Sequence, residues 1–157
     1  MREYPYLNYS NSYTELLPVI HLWVTRILFP LGGHLRLLTI HGFSDEALAI
    51  TLGLGSLLNS GGKDFNYQRT ALAIRSFCEQ EQIRLRDTPV PTLLRENIGR
   101  LATLVGLNAT DCRILEFVAL LKNDRALDEV ADYLGDMSST RLFYALSVIL
   151  NIPEPEV

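Results

Sequence analysis

The chemistry this chain could perform is tested first at its glycine-rich segment, LGLGSLLNSGGKD, residues 52–64. A phosphate-binding loop of the form G-x-x-x-x-G-K-S/T cradles phosphate with backbone amides, meets its charge with lysine and holds magnesium with a hydroxyl. Gly62 and Lys63 match that form, but Leu57 stands at the first glycine position and Asp64, whose carboxylate repels phosphate, at the hydroxyl position. The segment therefore reads as a turn. Ser56 is no better as a nucleophile, because a G-x-S-x-G elbow requires glycine where Leu54 and Leu58 stand. Cys78 and Cys112 both lie in apolar helical patterns with no base beside them in sequence, and a partnership with His21, His34 or His41 would have to come from the fold. The three histidines have no companion cysteines or carboxylates at metal-ligand spacing. No catalytic, cofactor-binding or metal-ligating residue is assigned.

The acidic residues Asp124, Asp128, Glu129, Asp132 and Asp136 lack calcium-loop spacing and read as a solvated helix face. They belong to the segment RALDEVADYLGDMSSTRLFYALSVIL, residues 125–150, which has the form of a helix-turn-helix. A DNA reader would send the front of its second helix into the major groove with cationic and amide side chains. Here Arg141 is that helix's only cation, and Asp128, Glu129 and Asp132 would face the phosphates. The helix is apolar on nearly every side, with Phe143, Tyr144 and Val148 pointing away from its core stripe. Either the first half of the chain covers these residues, or they meet another domain or protomer. The candidate interaction surface is thus Asp128, Glu129, Asp132, Arg141, Phe143, Tyr144 and Val148.

The elements that would position these residues are helical. In 157 residues, 48% are hydrophobic and 20% charged, with six Phe, seven Tyr and one Trp, a composition that supports a core and argues against global disorder. Fourteen basic and 18 acidic residues leave a net charge of −4, which disfavours a nucleic-acid coat. The start, MREYPYLNYSNSY, lacks the plan of a secretory signal. The longest uncharged stretch, Ala47–Gly62, has 16 residues and several glycines, too short and polar to span a bilayer. With reduced thiols expected, the chain reads as cytoplasmic, without membrane association.

The patterning predicts a helix from Pro18 to just before Pro30, a second from Ser44 to about Leu58, and a third from Asn66 to about Ile83. Pro89 and Pro91 then break the chain, which divides it into a helical subdomain 1–91, with 8 basic and 8 acidic residues, and a subdomain 92–157, with 6 and 10. In the second, Leu94, Ile98, Leu101 and Val105 share one stripe that Gly106 ends. Asn108 caps a helix with Asp111 in its first turn. Leu127, Val130, Ala131 and Leu134 form the next apolar face, and Ser138 opens a helix that runs toward Pro153. No segment reads as a β-strand. The expected fold is all-α, a helical bundle whose C-terminal half is helix-turn-helix- or winged-helix-like, the two halves packed together.

The segment from Asn97 to Pro153 resembles the helical region that precedes the ATPase module in a group of bacterial AAA+ ATPases. The resemblance rests on the block LATLVGLNATDCRILEFVALL, the acidic helix ending in YLG, and the serine-rich cap before an apolar helix with a short Ile-Pro ending. More loosely, GFSDEALAITLGLG is similar to the region upstream. The resemblance implies a non-catalytic N-terminal interaction or regulatory domain that recruits substrate or partner for a downstream ATPase. ATP and magnesium would be cofactors of that module only, and its phosphate loop and acidic magnesium motif do not occur in these residues. The partners implied are a protein or the downstream ATPase domain, with homo-oligomerisation through the parent protein. The alternatives are a helix-turn-helix DNA-binding regulator and, behind it, a small enzyme using Cys78 or Cys112 with a histidine.

Overall fold

A computed structural model of the chain describes residues 15–60 and 65–157. The sequence start and the Gly61–Asp64 part of the glycine-rich segment, including the Gly62–Lys63 match, lie outside the described residues. The protein is an all-α helical bundle.

Its organiser is the first helix, α1 (Pro18–Leu28), which opens with proline at a position where a missing amide donor costs nothing. Eight of its 11 residues are buried, so α1 has neighbours on nearly every side. A single-turn helix α2 (His34–Leu37) follows, then an antiparallel pair of short strands, β1 (Leu38–Thr39) and β2 (Gly42–Phe43), and α3 (Glu46–Thr51). A 3-10 turn (Gly55–Ser60) precedes the long α4 (Tyr67–Arg84), capped by the Asn66 side chain. Beyond the Pro89–Pro91 break come α5 (Thr92–Val105), α6 (Ala109–Asn123), α7 (Arg125–Asp132) and α8 (Ser139–Leu150), with a final 3-10 turn at Glu154–Glu156.

Helix α1 packs against α4, α7 and α8, so one apolar core runs from Val19 to Ile152 through both halves of the chain. Trp23 of α1 meets Phe117 of α6 edge to face, ring centres 5.2 Å apart. Helices α5 and α6 form a hairpin, turned by Gly106 in the left-handed region at φ 77° and restarted by a capping box between Asn108 and Asp111.

Two expectations are corrected. The helix expected over 44–58 begins later and stops early. Asp45, not Ser44, accepts from the Leu48 amide at 2.8 Å, while the Ser44 hydroxyl donates back to the Arg36 and Leu37 carbonyls. Gly53, at φ +83°, then turns the chain out of the helix. A strand pair exists where none was expected: Gly42 at φ +132° and the Thr39 hydroxyl, donating to the Gly42 carbonyl at 2.8 Å, close a hairpin too short to show alternation. That hairpin precedes α3, and among the described residues no strand follows α8. Helix α5 ends at Gly106 as expected, and its apolar stripe is covered only over its first half. Ile98 is buried and Leu94 half-buried, but Leu101, Val105 and the neighbouring Leu104, 82% exposed, face solvent.

Candidate functional site

The residues proposed as an interaction surface divide between two places. Asp128 and Asp132 are exposed on one face of α7, and Glu129 is half-buried and accepts from Arg125 at 2.8 Å. Ser139 to Tyr144, the first half of α8, are all exposed, because the helix joins the core only from Ala145 onward. This segment presents Leu142, Phe143 (45% exposed) and Tyr144 (51%) with Arg141. Val148 goes elsewhere, half-buried in a groove that it lines with Arg26, Pro30, Ile83 and Asn151. Asp124, read as part of the solvated acidic face, caps α7 by accepting from the Leu127 amide at 2.8 Å.

The thiols are free, and they differ in setting. Burial in the core, with the charges of Glu79 and Glu81 nearby, pushes the Cys78 thiol up to about 12, which removes it as a nucleophile at neutral pH. Cys112 is half-buried on α6. His34 stacks on Phe29 at 3.8 Å and shares a hydrogen bond with the Leu28 carbonyl, and His41 is exposed at the hairpin turn. Among the described residues, no cluster of three or more His, Cys, Asp or Glu is arranged to hold a metal ion, and no helix is long and apolar enough to cross a membrane.

His21 is set between α1 and α4. Its Nδ1 lies 3.5 Å from the Glu81 carboxylate, while its buried Nε2 has no hydrogen bond. Burial holds the imidazole below its ordinary value of 6.5, against the pull of Glu81 and the Leu52 carbonyl and in the same direction as Arg84. The unfolded chain therefore takes up this proton at a higher pH than the folded one. The stability that neutral His21 contributes is complete above 6.5 and is lost as the pH falls through the lowered folded value. In His21→Gln, which cannot titrate, the urea midpoint should decline less than in the wild type between about pH 7 and pH 5. Equal declines would show that His21 is not the group responsible.

The most distinctive charge arrangement was not visible in sequence. Arg26, Arg86, Arg95 and Arg113 converge on a pocket of about 150 Å³ formed by α1, the loop before α5, α5, α6 and the end of α8. The last carbonyls of a helix carry partial negative charge, and two of these arginines answer it. Arg26 donates to the Ile149 carbonyl at 2.6 Å, and Arg113 donates to the Leu150 carbonyl. Glu116 is the one acidic side chain in the lining, 3.8 Å from Arg95. Burial raises the Glu116 carboxyl above its ordinary value, with Arg95 and Arg113 opposing. Burial, then the charge of Arg113, lowers Arg26. No local window could reveal this pocket, because its arginines come from separate elements on both sides of the Pro89–Pro91 break.

Comparison with protein-family models, with curated proteins and with solved structures returns no match.

Proposed function

We propose that this chain is a non-catalytic protein-interaction domain, of the kind that recruits a substrate or partner to an AAA+ ATPase module. The supporting observation is the solvent-facing first half of α8, where Leu142, Phe143 and Tyr144 stand out with a single cation. Aromatic side chains joined to apolar ones are the composition of a protein contact, and aromatic residues are enriched at such interfaces. The exposed Leu101, Leu104 and Val105 of α5 add apolar surface of the same character. A major-groove reader exposes its helix in the same way, but arms it with donors for bases and phosphates.

The test is a photo-crosslinking amino acid at position 144 in cells of the source organism, with the adduct identified by mass spectrometry. The expected result is one discrete polypeptide that carries an AAA+ module or is a substrate of one, lost in Phe143→Asp and absent when the crosslinker stands at Lys122. A salt-sensitive complex with duplex DNA, abolished by Arg141→Glu, would replace this reading with the helix-turn-helix one.

A further inference from the structure

We propose that the arginine pocket is a binding site for the phosphate group of a small phosphorylated molecule. The chain is acidic overall, with a net charge of −4, yet four guanidinium groups line the pocket with Glu116 as the one carboxylate among them; Arg95 pairs with Glu116 at 3.8 Å and Arg86 with Asp87, outside the lining, at 3.7 Å. Arg26 and Arg113 each have a hydrogen bond to one carbonyl of α8, and among the described residues neither has a carboxylate within ion-pairing distance. A guanidinium has five N–H donors, so most of theirs remain for a ligand. Burial first, and then the charge of Arg113, disfavours the Arg26 cation, and a half-buried charge is costly until a counter-charge arrives.

Phosphate fits better than carboxylate on valence. One guanidinium balances the single charge of a carboxylate, whereas a tetrahedral dianion has the charge and the oxygens for several guanidiniums at once. Size points the same way: about 150 Å³ admits a phosphate with water but not a whole nucleotide. The site does not end there. Arg26, Arg86 and Asn151 also line the adjoining groove of about 750 Å³, where Pro30, Ile83 and Val148 supply apolar surface for the organic part of the ligand. Asn151, in the left-handed region at φ 52°, closes α8 at the junction, and its side-chain amide makes no hydrogen bond to the described residues.

The test is calorimetric titration of the full chain, at low ionic strength, with inorganic phosphate and separately with ribose 5-phosphate. Saturable binding of ribose 5-phosphate is expected, weakened at least about tenfold in Arg86→Gln and in Arg95→Gln, as loss of one charge-assisted contact dictates. Both side chains are largely exposed, so the melting temperature of the unliganded variants should match the wild type, which separates loss of the site from loss of the fold. Tighter binding of ribose 5-phosphate than of inorganic phosphate places its organic part in the groove, while equal affinities assign the pocket to the phosphate alone. Binding of neither probe, or binding indifferent to both substitutions, overturns the proposal. Displacement of the probes by short duplex DNA at lower concentration also overturns it, in favour of a polynucleotide.

Discussion

Trp23→Ala is expected to destabilise the protein by about 3–5 kcal/mol, the range for emptying a large aromatic site in a core. Trp23 is 5% exposed, and its edge-to-face partner Phe117 belongs to α6, so the substitution loosens α1 from the second half of the bundle. The aromatic pair itself should contribute about 0.5–1.5 kcal/mol of this, measurable as the coupling in a double-mutant cycle with Phe117→Leu. Because Trp23 is the chain's one tryptophan, unfolding must be followed by circular dichroism in urea rather than by indole fluorescence. With a slope of about 1–3 kcal/mol per molar urea, the midpoint should fall by more than about 1 M, in a single transition. Two separated transitions would show that the halves on either side of Pro89–Pro91 unfold independently and that the continuity of the core has been misjudged.

Gly33→Ala is expected to cost about 1–3 kcal/mol through crowding alone. The backbone of Gly33, at φ −57° and ψ −26°, suits alanine well, so no conformational strain is involved. The obstacle is the end of α1: an added Cβ would stand 2.9 Å from the Ile27 carbonyl oxygen and 3.2 Å from its Cγ2. The same carbonyl accepts the Gly33 amide at 2.9 Å, so the loop cannot retreat without breaking that bond, and the adjacent stack of His34 on Phe29 would shift with it. Gly135→Ala is the contrasting case, with open space around the new Cβ but a φ of +65°. There the cost is the roughly 1–2 kcal/mol of a left-handed residue and nothing more. Thermal melts should detect both losses, at about 2–4 °C per kcal/mol for a chain of this size. A Gly33→Ala melt within 1 °C of wild type, itself under about 0.5 kcal/mol on that scale, would sink the crowding argument.

What sequence alone made legible were the elements whose ends are written in local chemistry. Pro18 begins α1 where its missing donor costs nothing, the side chains of Asn66, of Asn108 with Asp111, and of Ser138 accept from the first amides of α4, α6 and α8, and Gly106 ends α5 in the left-handed region. The segment after Phe43 misled because its apolar spacing continues through Leu52, Leu54 and Leu58, whereas Gly53 alone decides the direction of the backbone. Burial of the stripe on α5 was also beyond local reading. Periodicity identifies an apolar face, but only tertiary arrangement determines how far it is covered, and Leu101, Leu104 and Val105 are left exposed. The same limit separated Val148 from Phe143 and Tyr144, neighbours in sequence that face a groove and open solvent respectively.

The long reach of α1 has a consequence for how the protein is made. Arg26 is bonded to a carbonyl 123 residues later, and the core around α1 cannot close until α7 and α8 exist. At synthesis rates of roughly 5–20 residues per second, that leaves an interval of about 6–25 s. Through that interval the ribosome carries a greasy first helix with half its neighbours still untranslated, which makes the nascent chain a natural client for chaperones that bind near the exit tunnel.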